Sequence, residues 1–425
     1  MICIHSAAQI ATLRGASTKP KAGKEMEELG LIEDGGIVIE DGIFTFVGSS
    51  EEARRYVAEH SGNQEVTVLS AEGKTVTPGL IDPHTHVVFA GTREFELNLR
   101  LQGAKYMDIL NAGGGILYST ERTREASEEQ LMAETAKRLD RFLEYGVTTI
   151  EAKSGYGLRL EDELKQLRVA RRLNASHPVD LVSTFMGAHA VPVEYKGNAD
   201  AFVRIVIEEM IPAVAREELA EFCDVFCEEG AFTVEQSRDI LLAGQKWGLK
   251  PKIHADELVS YGGAELAAEL GAVSADHLLH ASEAGIKRMA EAGVIAVLLP
   301  GTAFFLMAQP ANARAMIAAG VPVALSTDRN PGSSPTESLP FIMNLACLTM
   351  RMTPAEVLAA CTINAAHAIG RAAAIGSIEV GKQADLVMFD APNYLYLQYH
   401  YAVNLVDTVI KKGEAVIQSG RRVFA

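Results

Sequence analysis

The chain has 425 residues, with 39 Lys plus Arg against 55 Asp plus Glu and a net charge of −16. That balance repels phosphate backbones and anionic lipid, which argues against nucleic-acid and membrane partners. It leaves room for an anionic small molecule met by a local cation. Hydrophobic residues make up 48%, enough for a large core and too many for a disordered chain.

The opening MICIHSAAQI has no basic stretch before its apolar residues, so it does not read as a secretory signal. Residues 1 to 75 hold short β-type runs such as GGIVIEDGIFTFVG, punctuated by Asp-Gly turns. From 76 to 370, apolar β-type runs alternate with longer helical ones. The stretch SEEQLMAETAKRLDRFLEYG predicts a helix that starts at Ser127, stops at Gly146 and turns Leu131, Ala136, Leu139, Phe142 and Leu143 to one face. Eight runs predict strands: TVTPGLIDPHTH, VTTIEAKSG, VDLVSTFMGAH, CDVFCEEG, LKPKIHADE, AVSADHLLH, VIAVLLPG and VPVALSTD. Eightfold alternation of strand and helix points to an α/β fold, a (β/α)8 TIM-like barrel.

From 371 to 425, short β-type runs return in GSIEVGKQADLVMFD and TVIKKGEAVIQSGRRVF. Neither end is long enough for a sheet of its own, so the two are expected to pair in one small β-sandwich beside the barrel. The most apolar run, Gly293 to Ala308, is too short to span a bilayer and is broken at Pro300-Gly301. The cysteines Cys3, Cys223, Cys227, Cys347 and Cys361 are odd in number and scattered, which suits a reducing cytoplasm better than a disulfide framework. Cys223 and Cys227 read as buried strand neighbours.

Polar residues collect at the strand ends. Strand one closes on Asp82, His84 and His86, and strand two on Glu151, Lys153 and Ser154. Strand three closes on His189, strand five on His254, Asp256 and Glu257, strand six on Asp276 and His277, and strand eight on Asp328. A single histidine there is better read as a hydrogen-bonded core residue. Four strands delivering histidines to the rim where barrel loops converge favour a site instead. His84 and His86, two apart on a strand, share one face. With His254 and Asp328 they would make an N3O set suited to one divalent metal ion, Zn²⁺ or Fe²⁺/Fe³⁺, with a position left for water. Such an ion lowers the pKa of bound water and polarises a carbonyl. Glu257, three residues past His254, is placed to move the water's proton to a leaving nitrogen, and His277 to orient the nucleophile or share that work.

PGLIDPHTH, His254, His277, Asp328 and the tail IGSIEVGKQADLVMFD together resemble the amidohydrolase superfamily over essentially the whole chain. No lysine ends strand four, so the likeness implies a mononuclear site, with Lys153 the one candidate for a bridging carbamate. GTREFELNLRLQG, NAGGGILYST, EAKSGYGL, STFMGAHAVP, KIHADE, SADHL, AVLLPGTAFFL and STDRNPGSSPTE resemble the imidazolonepropionase family of histidine degradation. That likeness implies hydrolysis of 4-imidazolone-5-propanoate to N-formimidoyl-L-glutamate, with one metal ion per subunit on His84, His86, His254 and Asp328. It implies substrate contacts from Arg93, Tyr156, His189, Glu257, Asn330, Gly332 and Ser333. The superfamily likeness suggests a homodimer as well.

The chemistry of those side chains agrees. Arg93 could hold a propionate bidentately. His189 could donate to the ring carbonyl or its oxyanion. The turn at Pro331-Gly332 could aim backbone N–H groups at a polar ligand. Gly113 to Gly115 lack the partners of a phosphate loop or dinucleotide fingerprint and read as a rim loop. Arg329 follows Asp328 directly and is expected to face the other way. The competing readings are a deaminase of guanine or a cytosine-like ring in the same superfamily, which has less need of Arg93, and a barrel kept as a non-catalytic scaffold.

Overall fold

In the computed structural model, which describes residues 1–103 and 113–424, the run Thr75 to His86 is two strands that go to different sheets. Asn111 and Ala112, the first residues of the NAGGGILYST motif, lie outside the described residues. The N-terminal strands are β1 (Ile2–Ala11), β2 (Leu31–Glu40), β3 (Ile43–Ser49), β4 (Thr67–Ser70) and β5 (Thr75–Pro78). At Gly79 the backbone passes from β5 to β6 (Leu80–Asp82), its N–H bonded to Asp385 O at 2.9 Å while the next N–H, of Leu80, bonds Gly146 O at 3.0 Å. A Cβ at Gly79 would collide with the Thr148 side chain, so the handover needs glycine.

Seven strands follow β6 in the same sheet: β7 (Val147–Lys153), β8 (Asp180–Ala188), β9 (Phe222–Cys227), β10 (Lys250–Ala255), β11 (Ser274–His277), β12 (Ile295–Leu298) and β13 (Val323–Leu325). They lie in chain order and every neighbouring pair is parallel. Each of the eight runs expected to be a strand carries one of them. All residues of β7, β12 and β13 are buried, as parallel strands covered by helices require.

The helix Glu128–Glu144 starts where expected, with Ser127 Oγ accepting from Gln130 N. Leu131, Leu139, Phe142 and Leu143 are buried, and Ala136 packs half-buried beside them. It stops at Gly146, whose φ of +81° is the left-handed region glycine favours.

The barrel closes just beyond the ends of β6 and β13. Thr85 bridges Arg329, and His86 N–H donates to Arg329 O at 2.9 Å. Below that bridge Ser326 Oγ donates to His84 O at 2.7 Å and Thr327 Oγ1 to Asp82 at 2.6 Å, while Ser326 also meets the Asp82 carboxylate. This stitching sets the His84–His86 segment against Asp328.

The last strands, β14 (Leu386–Phe389), β15 (Val406–Lys411), β16 (Glu414–Gln418) and β17 (Arg421–Arg422), join the N-terminal ones in a second sheet. Its order is β17-β16-β15-β14-β5-β1-β2-β3, with β4 paired to β1. Ile4, Ile10, Ile37, Ile39, Phe44, Val76, Leu386, Met388 and Ile410 from across this sheet share a core separate from that of the barrel. The cysteines are free, and Cys223 and Cys227 are buried on β9. Among the described residues no helix is long and apolar enough to cross a membrane.

Candidate metal centre

His84 and His254 are oriented from behind. His84 Nδ1 lies 2.6 Å from Asp276 Oδ2, and His254 Nδ1 lies 3.0 Å from Asp224 Oδ1. A carboxylate only accepts, so each ring carries its proton on Nδ1 and turns an Nε2 lone pair forward. The forward atoms converge. His84 Nε2 is 3.5 Å and His86 Nε2 is 3.7 Å from Asp328 Oδ1, and His254 Nε2 is 3.4 Å from His86 Nε2.

His84 Nε2 and Asp328 Oδ1 are buried and have no hydrogen-bond partner among the described residues. Buried acceptors facing one another are costly unless something electropositive lies between them. One divalent cation satisfies the whole set, so the residues present fit a mononuclear metal site. Burial is the main reason that the His84 and His86 rings are held well below the usual histidine range. Neutral rings are what ligation requires. Burial pushes Asp328 up to about 6, against a hydrogen bond that Thr302 Oγ1 donates at 2.6 Å.

Behind the ligands lies a network that the sequence reading did not assemble. Lys153 Nζ sits 2.6 Å from Asp224, 2.9 Å from Glu151 and 3.3 Å from Asp276, and Lys252 Nζ sits 2.7 Å from Glu151, all fully buried. Burial opposes the charge on Lys153, but Asp224, Glu151 and Asp276 outweigh it and hold the ammonium above the usual lysine range. Three carboxylates thus engage the Lys153 amine, the one candidate for a bridging carbamate, as a buried ion-pair partner. Further His and carboxylate groupings around Asp224, Asp276 and Glu151 surround this ammonium, whose charge offsets theirs. The available signal was charge inside otherwise apolar parallel strands, Asp224 in FCDVFC and Lys252 in KPKIHA.

The structure gathers the other expected residues around the same centre. The His277 ring centre is 5.0 Å from that of His254 and 5.4 Å from that of His84. Asp256 has a φ of +50° and its carboxylate accepts from the N–H groups of Tyr261, Gly262 and Ala264. The adjoining Glu257 carboxyl is largely buried, 3.6 Å from His277 Nδ1. Burial, then the Asp328 and Glu228 carboxylates, push Glu257 up to about 8. A carboxyl poised near neutrality can both accept and return a proton.

His189 stacks on His86, ring centres 4.8 Å apart, and Tyr156 packs at 5.4 Å from His189. His189 Nδ1 is 3.0 Å from Gly155 O, and a carbonyl can only accept, so this nitrogen bears a proton. Burial, then the neighbouring His254, hold His189 down to about 3, so the ring carries one proton. Its Nε2 is the ring nitrogen left to meet a substrate. Burial raises the Tyr156 hydroxyl above its usual range.

Two expectations at the substrate end change. Arg93 is not wholly free, because its Nε and Nη2 bind the Glu96 carboxylate at 2.7 and 2.9 Å. Its Nη1 points at Gly332, where any Cβ would collide with it. The N–H groups of Gly332 and Ser333 do not face a ligand, since both donate to Asn330 Oδ1 at 2.8 Å. Asn330 Nδ2 in turn donates to Asp328 O at 2.7 Å. The turn therefore braces Asp328 and admits Arg93.

Arg329 does not turn outward as expected but is buried, its Nε 2.7 Å from Glu337 and its guanidinium over the Phe89 ring at 5.3 Å. Phe89, Thr92, Arg93, Phe305, Arg329 and Pro331 are among the residues lining a cavity of about 250 Å³.

Residues 75–416 match the model of the amidohydrolase family. The chain is 67% identical over 420 residues to an imidazolonepropionase of Shouchella clausii, covering 99% of this chain and 94% of that protein. It is 64% identical over 421 residues to one of a Geobacillus species, covering 99% of both. Among solved structures it resembles a zinc-bound adenosine deaminase from Xanthomonas campestris, with TM-score 0.70, 18% identity and coverage of 99% of this chain and 94% of that one. It also resembles E. coli guanine deaminase, with TM-score 0.69, 15% identity and coverage of 98% and 100%. At such identities the two deaminases bear on fold alone.

Proposed function

The chain belongs to the amidohydrolase family and to its imidazolonepropionase branch, and on that premise we propose that it hydrolyses 4-imidazolone-5-propanoate to N-formimidoyl-L-glutamate. The observation that carries the substrate is identity of 67% over nearly the full length with a relative of that name. The convergent acceptors of His84, His86, His254 and Asp328 support hydrolysis as the chemistry.

Those residues would hold one divalent ion per subunit, Zn²⁺ or Fe²⁺/Fe³⁺, since three imidazoles and a carboxylate suit either metal. When bound, the ion polarises the ring carbonyl and makes water a nucleophile near neutral pH. Glu257 accepts a proton from the attacking water. As the new C–O bond forms and the ring C–N bond breaks, it returns that proton to the leaving nitrogen, and the product gains a carboxylate. His277, 3.6 Å from Glu257, orients the water and shares the proton.

His189 Nε2 accepts from a ring N–H, and the Tyr156 ring beside it walls that side of the substrate. The Arg93 guanidinium, seated against Gly332 in the turn that Asn330 and Ser333 shape, meets the propionate. A carboxylate-bearing substrate gives this guanidinium a partner that guanine or cytosine would not. The reaction belongs in the cytoplasm, in keeping with five free cysteines. Turnover of 4-imidazolone-5-propanoate by the purified, metal-assayed protein tests the proposal, and turnover of guanine in its place would transfer it to the deaminase reading.

A further inference from the structure

The loop between β7 and the helix Leu160–Ser176 carries Tyr156 and the Gly155 carbonyl that receives the His189 Nδ1 proton. Gly155 has a φ of +111°, open to glycine, and Leu158 has one of +52°, a conformation that local preference does not hold. A buried carboxylate in the first turn of that helix does. The Gly155 N–H donates to Glu163 Oε2 at 3.0 Å, and the N–H groups of Gly157 and Leu158 donate to Oε1 at 2.8 and 2.7 Å. No salt-bridge partner stands against Glu163 among the described residues, so the Ser154 side chain and the loop's backbone dipoles are what offset its burial. At Gly157 a Cβ would collide with the Glu163 backbone, so the loop can wrap the carboxylate only with glycine there.

The peptide between Gly155 and Tyr156 is held at both ends. Its N–H donates to Gln166 Oε1 at 3.1 Å, and its C=O accepts from His189 at 3.0 Å. Glu163 fixes the N–H groups of the peptides on either side, so it sets the rotation of this plane. The plane in turn decides which His189 nitrogen bears the proton and where the Tyr156 ring stands.

We propose that Glu163 is a positioning residue for this hydrolysis, holding the SGYG loop so that Tyr156 faces the site and His189 keeps its Nδ1–H on the Gly155 carbonyl, with Nε2 turned to the substrate. The role in catalysis rests on the function proposed above; the effect on the loop does not. Glu163→Gln is nearly isosteric but puts an NH₂ where one or two backbone N–H groups now point, so a donor would face a donor.

The test uses the metal-loaded enzyme and two readouts. In a protein with ¹⁵N-labelled histidines, the His189 signals, identified by their loss in His189→Asn, should show Nδ1 protonated in the parent and averaging between tautomers in Glu163→Gln. In steady-state kinetics, Glu163→Gln should lower kcat/KM on the order of 10²-fold, as displacement of a positioned group does, with metal content unchanged. That loss should shrink to within about threefold when Tyr156→Phe and His189→Asn are already present, because coupled residues are not additive.

A full loss in that background would make Glu163 a general structural residue and overturn the proposal. An unchanged His189 tautomer in Glu163→Gln would overturn it whatever the substrate. A parent enzyme inert toward 4-imidazolone-5-propanoate would sink the functional reading, while the tautomer readout still decides the positioning of His189.

Discussion

Asp224 and His254 are bonded at 3.0 Å, Oδ1 to Nδ1, while the other Asp224 oxygen holds Lys153 at 2.6 Å. One carboxylate thus fixes a metal-facing imidazole and is itself fixed by a buried ammonium, an arrangement that turns β7, β9 and β10 into a rigid backing for the site. Asp224→Asn could satisfy His254 with its carbonyl oxygen only by turning its NH₂ toward the Lys153 ammonium. Metal affinity is expected to fall roughly 10- to 100-fold, the usual cost of losing such a partner. Competition with a chromophoric chelator measures this, and parent-like affinity would remove Asp224 from the orienting role.

Glu257 stands where a proton must be moved and makes no metal-facing contact. Glu257→Gln is expected to lower kcat by about 10²- to 10⁴-fold, the range for loss of a general acid–base group. Metal content should stay near that of the parent. Assay of both on one preparation decides it; parent-like turnover would exclude Glu257 as the base, and loss of metal would make it a structural residue.

Arg93 and Gly332 should fail alike. Arg93→Ala removes a charge-assisted hydrogen bond of ~1.5–3 kcal/mol, so KM should rise roughly 10- to 100-fold with kcat little changed. Gly332→Ala keeps the guanidinium but places a methyl where Nη1 lies, so a rise in KM in the same direction is expected. If KM stayed constant in both variants, the propionate would have to bind elsewhere, with Arg329 in the same cavity the first place to look.

The alternation of strands and helices was legible because each barrel strand is apolar through its length, and the rim was legible because histidines end four of them. The split at Gly79 was not, because it depends on Thr148 from a neighbouring strand approaching the backbone. The Lys153 network was invisible for the same reason, since its carboxylates come from β7, β9 and β11 and meet only when the barrel closes. Some of what was missed could have been read. Arg93 and Glu96 stand three apart in GTREFE, the spacing of a helical ion pair, and they form one. Asn330 before Pro-Gly-Ser is a turn-forming side chain, and it does consume the N–H groups first expected to face a ligand.

The central claim is that His84, His86, His254 and Asp328 hold a metal ion on which hydrolysis of 4-imidazolone-5-propanoate depends. The measurement is loss of imidazolone absorbance with purified protein, metal content being determined on the same sample before and after a chelator. Turnover should vanish as metal is removed and return with about one equivalent of Zn²⁺ or Fe²⁺ per chain, as a mononuclear N3O site requires. Turnover that survives complete removal of metal, or a metal-loaded protein that leaves the imidazolone untouched, would contradict it.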